Sequence, residues 1–200
     1  SSDFLLNEKR LKNIAGLSYI ETENQIPKIA ANTMVIDAIF GTGLNKPAEG
    51  LSAAVIQSIN QSAARIYSVD IPSGLFADKP NGDKDVIISA QQVFSFHAPK
   101  LSFLLPQNGK YVPAFKVLDI GLDKNYASQF TADYEYVTGD VIQQFFKQRQ
   151  KFSHKGSYGH AMIAAGSFGK MGAAVLAVKA ALRSGAGLVS ALIPSCGYEI

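Results

Sequence analysis

TMVIDAIFGTGLNKP (residues 33–47) is a short apolar run followed by a loop of small residues. The run, Met34–Phe40, is interrupted only by Asp37, and its length and composition predict a buried parallel strand. The loop Gly41–Pro47 lets backbone N–H groups approach an anion closely, and Lys46 adds a positive charge. A buried carboxylate is costly unless something pairs with it. Two interpretations stay open: a ligand loop with Asp37 beside it, or a strand–turn–helix joint whose Asp bonds local backbone.

A second strand and loop follow in RIYSVDIPSG, Arg65–Gly74, where the strand ends at Asp70 and the turn contains Ser73. The intervening segment Gly50–Ser62 has apolar residues at helical spacing, namely Leu51, Val55 and Ile59. Strand, helix and strand in this order form a βαβ unit, whose crossover makes the two strands parallel. Both Asp37 and Asp70 are therefore predicted at the carboxyl edge of the sheet, where open α/β sheets bind ligands.

The composition is typical of a globular α/β protein with a sizeable core: 200 residues, 47% of them hydrophobic, and a net charge of +3. No run of Lys and Arg argues for nucleic acid as a partner. The only cysteine, Cys196, excludes an internal disulfide and fits a reducing compartment. No segment predicts a membrane span or a signal peptide. Because the chain starts at Ser1 and stops just after a strand-like run, we expect an internal piece of a longer protein.

The remaining part of the first unit contains one predicted helix and several predicted strands. The helix is expected from Ser2 to Asn13, with Phe4, Leu5 and Leu11 turned inward. Five short apolar segments predict strands: Leu17–Glu21, Val86–Ile88, Val93–Phe96, Phe103–Leu105 and Phe115–Ile120. The loop HAPK, which ends at Lys100, follows one of them. A lysine in such a loop either contacts phosphate or is exposed to solvent.

A second βαβ unit is predicted to begin near residue 135, after a polar connector at residues 123–136. Thr138 is the expected N-cap of a helix with Asp140 in its first turn. The apolar face of that helix consists of Val141, Ile142, Phe145 and Phe146. His160–Ala165 predicts a buried strand, residues 170–184 an alanine-rich helix, and residues 185–194 a further strand.

These segments resemble one enzyme family. IDAIFGTGLNKP followed by SVDIPSG resembles the signature of NAD(P)H-hydrate epimerases. FSHKGSYGHAMIAAGSFGKMGAAVLAVKAALRSGAGLVS is similar to the opening of ADP/ATP-dependent NAD(P)H-hydrate dehydratases, which have a ribokinase-like fold. In this order the two resemble bacterial bifunctional NAD(P)H-hydrate repair enzymes. The resemblance implies a Rossmann-like three-layer α/β/α epimerase domain in residues 1–130 and the start of a ribokinase-like α/β dehydratase domain in residues 135–200.

The activity implied by the resemblance is repair of NADH or NADPH in which water has added to C6 of the nicotinamide ring. The epimerase interconverts the R and S forms, and the dehydratase uses ADP or ATP, with Mg, to restore the cofactor from the S form. The resemblance also implies a bound potassium ion. We further expect a cytoplasmic location and a homo-oligomer, with no nucleic acid and no membrane as partners.

Residue by residue, the resemblance makes Asp37 and Ser73 potassium ligands, which suits their hard oxygen atoms. The loop that would hold the phosphates of the hydrate consists of Gly41, Thr42, Gly43, Leu44, Asn45, Lys46 and Pro47. Asp70 would contact the hydrated nicotinamide, and its strand-end position makes it the candidate acid or base at C6. Alternatively, Asp70 only caps the turn Pro72–Gly74.

In the second unit, Gly166–Ser167 and Gly172–Ala173 form the GS…GA pattern of the dehydratases. Small side chains there would let the hydrate lie against the start of a helix, with Ala173 in contact. Close packing of helix on sheet requires the same small residues. His154 and Lys155 are typical of the family and receive no catalytic role. The family's Asn/Gly-rich potassium loop, and the catalytic Asp and nucleotide site of the dehydratase, are not in this sequence.

Three other function classes compete with a repair enzyme. A non-catalytic nucleotide-binding scaffold is disfavoured because Asp37, Asp70 and Ser73 are all present. A NAD-dependent dehydrogenase requires a G-x-G-x-x-G turn, whereas Gly41-Thr42-Gly43 is followed by Lys46 at the last glycine position. A sugar or vitamin kinase is disfavoured by the long epimerase-like region that precedes the second unit.

Overall fold

The computed structural model describes residues 2–127, 129–146 and 148–199. The chain divides into two compact units, residues 1–136 and 137–200. None of the helices in the described residues is long and apolar enough to cross a membrane.

The first unit, over its described residues, is built on a four-stranded parallel sheet in the order β1-β2-β3-β4. The strands are β1 (Met34–Asp37), β2 (Arg65–Val69), β3 (Gln92–Phe96) and β4 (Phe115–Leu118). The α-helices are α1 (Ser2–Lys12), α2 (Gly50–Gln61) and α3 (Lys124–Ala127). Short 3₁₀ helices occupy Glu23–Gln25, Leu101–Leu104 and Pro106–Asn108. The α/β class and the first βαβ unit are therefore confirmed.

The register of the sheet brings the strand ends together. Asp37, the last residue of β1, pairs with Ser68 of β2, and Ser68 pairs with Val93 of β3. Asp70 and His97, which lie just beyond the ends of β2 and β3, therefore lie at the same carboxyl edge as Asp37. Parallel sheets of this kind place their ligand sites at that edge.

One face of the sheet carries the core. Ile66 and Val93 are buried there together with Ile56 and Ile59 of α2. Burying an aliphatic side chain of this size contributes roughly 1.5–3 kcal/mol. The opposite face is more open at β1, where Met34 is 52% and Ile36 is 57% exposed.

The strand expected over Met34–Phe40 is thus shorter and less buried than predicted. It ends at Asp37, and the side chains of Met34 and Ile36, on the face away from the core, are exposed. β1 is also an edge strand of the described sheet. An apolar run shows that a strand forms but does not show how many neighbours the strand has. The helix prediction for α1 is confirmed, whereas the expected inward orientation of its apolar residues is wrong, because Phe4, Leu5 and Leu11 are all exposed.

Three predicted strands are absent from the described residues. Leu17–Glu21 and Val86–Ile88 form no ladder, and Phe103–Leu105 overlaps the 3₁₀ helix Leu101–Leu104. Val86–Ile88 is apolar because it covers the core, with Ile87 and Ile88 buried. The backbone hydrogen bonds of this segment are made to a turn and to a side chain instead of to a neighbouring strand. The Ile88 N–H donates to the carbonyl of Ser73 at 2.9 Å.

Asn60 of α2 holds this segment in place. Its Nδ2 donates to the carbonyl of Ile87 at 2.7 Å, and its Oδ1 accepts from the N–H of Ser89 at 2.9 Å. Replacing Asn60 by Ala should lower the free energy of unfolding in urea by roughly 1–3 kcal/mol, because two backbone groups lose their partner. The matched control is Gln57→Ala at an exposed position of the same helix, expected within about 0.5 kcal/mol of the wild type. Equal losses in both variants would contradict the role of Asn60.

The second unit contains a strand–helix–strand arrangement. Its strands β5 (His160–Ala164) and β6 (Leu188–Leu192) pair in parallel, and α5 (Gly172–Arg183) connects them. A short helix, α4 (Gly139–Phe145), precedes them, and 3₁₀ helices occupy Lys155–Tyr158 and Ser195–Gly197.

The elements predicted for the second unit are confirmed, but their burial is not. β5 was expected to be buried, yet its side chains alternate between exposed and half-buried, and Met162 is exposed. Ile142 and Phe145 of α4 are also exposed, as is Phe146, which caps the C-terminus of the helix. Thr138 occupies the predicted N-cap position without a side-chain capping bond. Among the described residues, β5 pairs with β6 alone.

Candidate active site at the carboxyl edge of the sheet

Asp37 is the centre of a buried hydrogen-bond cluster. It is 1% exposed, and its carboxylate accepts from the hydroxyl of Ser68 at 2.7 Å and from the backbone N–H of Ser73 at 2.8 Å. The Ser73 hydroxyl donates to the other carboxylate oxygen at 2.5 Å and accepts from the N–H of Phe40 at 2.9 Å. The structure therefore brings Asp37 and Ser73 into direct contact and ties the start of the loop to the turn after β2.

The turn after β2 depends on a glycine. Gly74 has a φ of +95°, and a Cβ atom at this position would lie 2.2 Å from the carbonyl oxygen of Val86. A side chain therefore cannot be accommodated without moving backbone. This close approach fixes Ser73 against Asp37, because Ser73 and Gly74 are held between the end of β1 and the Val86–Ile88 segment.

Asp70 lies one residue beyond β2 in a strained conformation. Its φ is +66°, a region that costs a non-glycine residue on the order of 1 kcal/mol and is concentrated at functional sites. Its N–H donates to the carbonyl of Phe94 at 2.7 Å. Its Oδ1 lies 2.9 Å from the Nζ of Lys100 and accepts from the N–H of Phe96 at 3.3 Å. These contacts hold the strained residue in place, with its side chain 16% exposed.

Lys100 is more buried than the sequence indicates, and it contacts a residue of the site. Its side chain is only 15% exposed, so the expectation of a solvent-exposed lysine is wrong. Its partner Asp70 lies thirty positions earlier in the chain, so no local sequence motif indicates the pair. The signal that could have found it is topological: HAPK follows β3, and β3 pairs with β2, which ends next to Asp70. His97, in the same loop, is also left-handed, with a φ of +64°.

The loop Gly41–Pro47 borders Asp70. A Cβ atom on Gly41 would lie 3.8 Å from Asp70 Oδ2. The loop is largely exposed, as a ligand loop must be, and Lys79 donates to the carbonyl of Asn45 at 2.7 Å. The structure thus brings Asp37, Ser73, Asp70 and the first residue of the loop to one edge of the sheet.

The predicted residues of the second unit lie at the start of α5. Gly166 has a φ of +93°, and Ala173 is exposed in the first turn of the helix, whereas Ala174 beside it is buried. The contact of Ala173 with a hydrate stays a prediction. His154 accepts from the N–H of Gly156 at 3.1 Å and thereby caps the 3₁₀ helix that contains Lys155, a structural role.

The Asp37 cluster has the donor chemistry of a hard cation site. It offers carboxylate oxygens and a hydroxyl, and within the described residues no Lys or Arg forms an ion pair with Asp37. Neutral hydrogen-bond donors stabilise its carboxylate, and no positively charged side chain of the described residues balances its charge. The same described ranges hold no group of three or more His, Cys, Asp or Glu side chains suited to a metal. Oxygen ligands of this kind suit a hard cation better than a zinc-like ion.

The chain also matches known proteins. The family described as YjeF-related protein N-terminus matches residues 1–102, which contain β1, β2, β3 and the site at their carboxyl ends. A protein of Moorella thermoacetica named bifunctional NAD(P)H-hydrate repair enzyme Nnr is 37% identical over 161 residues, which are 80% of this chain and 30% of that protein. Proteins of the same name from Vibrio cholerae and Escherichia coli are 31% and 34% identical and align over 90% and 81% of this chain.

The chain spans about a third of the length of these curated relatives: 30%, 36% and 31%. The family match ends at residue 102. It therefore includes β1, β2 and β3 and every residue of the candidate site at their carboxyl ends. On this evidence the chain belongs to the family of YjeF-related protein N-terminal domains.

Proposed function

We propose that the carboxyl edge of the first sheet is the site of an NAD(P)H-hydrate epimerase, which interconverts the R and S forms of hydrated NADH or NADPH. The observation that carries the proposal is the meeting of three groups at one edge: the glycine loop, the strained Asp70 and the Asp37–Ser73 cluster. The names of the relatives, which are repair enzymes for this class of compound, support it.

The chemistry requires a group that moves a proton. C6 of the hydrate carries a hydroxyl next to the ring nitrogen, so its configuration can change by loss and return of hydroxide or by ring opening and closure. In ring opening the Asp70 carboxylate would accept the proton of the C6 hydroxyl and return it on closure. In loss of the hydroxyl as water, the protonated Asp70 carboxyl would donate the proton and take it back when water returns. The backbone N–H groups of Gly41–Lys46, with the Lys46 side chain, would bind the phosphates and orient the ring.

A potassium ion is the cofactor that this proposal includes, held by Asp37 and Ser73. When bound, it supplies positive charge that balances the Asp37 carboxylate and favours the anionic hydrate nearby. The buried position of both side chains supports the assignment, because a full negative charge in such a place is favoured by a positive neighbour.

Potassium should stabilise the protein against heat if this assignment is right. We expect the melting temperature to be about 3–6 °C higher in KCl than in LiCl at equal ionic strength, for an ion at about ten times its Kd. Asp37→Asn should remove this difference. The matched control is Asp83→Asn at an exposed position, which should keep it. A melting temperature that is the same in both salts for the wild type would contradict the potassium site.

For the second unit we propose the start of an ADP/ATP-dependent NAD(P)H-hydrate dehydratase domain, spanning residues 135–200, with residues 1–130 as the epimerase domain. The parallel strand–helix–strand unit, with Gly166–Ser167 before α5 and Ala173 in its first turn, supports this part of the proposal. The word bifunctional in the relatives' names also supports it. ADP or ATP with Mg, a cytoplasmic location and a homo-oligomeric state are predictions that accompany it.

The direct test of the proposed function is an epimerisation assay on the full-length protein that contains this chain. Purified S hydrate of NADPH is incubated with the protein in KCl, and appearance of the R form is followed by chromatography. The proposal expects equilibration much faster than in buffer alone. Binding of the hydrate without acceleration would instead favour the non-catalytic scaffold.

A further inference from the structure

We propose that Lys100 is a positioning residue for Asp70: it holds one carboxylate oxygen so that the other faces the glycine loop. The inference rests on the proposed function, because Asp70 acts on a substrate only there. Lys100 lies outside the glycine loop and the Asp37–Ser73 cluster, and it forms a largely buried ion pair with Asp70.

The ammonium of Lys100 has a partner for each of its N–H donors. Nζ lies 2.9 Å from Asp70 Oδ1, 3.0 Å from the carbonyl oxygen of Phe96 and 3.3 Å from that of Ala98. A lysine ammonium has three donors, so this arrangement uses all of them. Lys100 therefore has no donor left for a phosphate, and its function is to hold Asp70 and the loop after β3.

The two oxygens of Asp70 are in different environments. Oδ1 accepts from Lys100 and from the N–H of Phe96. Oδ2 has no hydrogen-bond partner in the described parts of the chain, and it faces Gly41, where a Cβ atom would lie 3.8 Å away. A ligand seated on the glycine loop would therefore meet Oδ2 first, and Oδ2 is the oxygen that would transfer the proton.

The backbone around Lys100 is built to hold this orientation. The carbonyls that Lys100 binds belong to Phe96 and Ala98, on either side of the left-handed His97. Asp70 is left-handed too, and one ammonium group joins its side chain to the carbonyls that flank His97. Without that group the carboxylate would keep only the 3.3 Å bond from the N–H of Phe96. Misplacement of a reacting group by about 1 Å costs on the order of 10²-fold in rate.

The test is a double-mutant cycle of Lys100→Met and Asp70→Asn, measured as kcat and KM of epimerisation by the full-length protein. Lys100→Met should lower kcat by about 10–10²-fold with KM within about threefold of the wild type. In the Asp70→Asn background the same change should cost less than about threefold, because Lys100 acts through Asp70. Lys116→Met, at an exposed position of β4, is the matched control and should leave both constants unchanged.

Each other outcome overturns the inference. A raised KM with unchanged kcat would make Lys100 a substrate ligand, and a full additional loss in the Asp70→Asn background would make it independent of Asp70. If Lys100→Met does not fold, Lys100→Gln, which keeps two donors without the charge, takes its place with the same expectations. Failure of Asp70→Asn to slow epimerisation would overturn the catalytic role of Asp70, whereas a slow Asp70→Asn with a fast Lys100→Met would overturn the positioning role alone.

Discussion

Epimerisation by the Asp70→Asn variant should be slower than by the wild type by about 10²–10⁴-fold, the usual contribution of a positioned acid or base. The substitution keeps the shape of the side chain and removes its ability to accept a proton. Because the amide still fits the same place at the end of β2, binding of the hydrate should change little. The measurement is chromatographic separation of the R and S forms over time, together with titration of the hydrate.

The matched control for this variant is Asp119→Asn. Asp119 directly follows β4 as Asp70 follows β2, but it is exposed and accepts from the N–H of Gly121 at 2.8 Å. Its substitution should leave the rate unchanged. Epimerisation by Asp70→Asn at the wild-type rate would reduce Asp70 to a structural role in its turn.

The largest expected effect on stability belongs to Gly74→Ala. A Cβ atom there would lie 2.2 Å from the carbonyl oxygen of Val86 and 3.0 Å from the Cα of Ile87, and the φ of +95° disfavours any side chain. Strain and overpacking together should lower the free energy of unfolding of the first unit by about 3–4 kcal/mol. The measurement is urea denaturation followed by far-UV circular dichroism.

Gly121→Ala separates the two causes. Gly121 has a φ of +74°, and nothing lies within 4 Å of the position that its Cβ would take. This variant should therefore lose only the conformational part, about 1 kcal/mol. If Gly74→Ala loses no more than Gly121→Ala, the close contact with Val86 is not a constraint on the turn.

The central part of the site could be predicted from the sequence because each of its parts is a local motif and the strand-and-turn motif occurs twice. Two short apolar runs, each ending in an acidic residue and a small-residue turn, with a helical segment between them, require parallel strands. Parallel strands then place Asp37 and the turn that carries Ser73 at the same edge of the sheet, and the family resemblance implies that the two side chains act together. The structure shows their contact at 2.5 Å.

Other features could not be predicted because their causes lie far along the chain. Val86–Ile88 resembles a strand, but its hydrogen bonds go to Ser73 and to the side chain of Asn60. The ion pair of Lys100 with Asp70 depends on which strand neighbours β2. The exposure of Met34 and Ile36 depends on whether another element packs on that face of β1. In each case tertiary contacts determine the local structure, and the hydrophobic pattern of the sequence does not indicate those contacts.

A crystal structure of the Asp70→Asn variant with hydrated NADPH would show whether the hydrate binds between residue 70 and the glycine loop. We expect phosphates on the backbone of Gly41–Pro47 and the C6 hydroxyl within about 3.5 Å of the side chain at position 70. A hydrate bound with its nicotinamide ring away from position 70, or with no contact to the loop, would contradict this proposal.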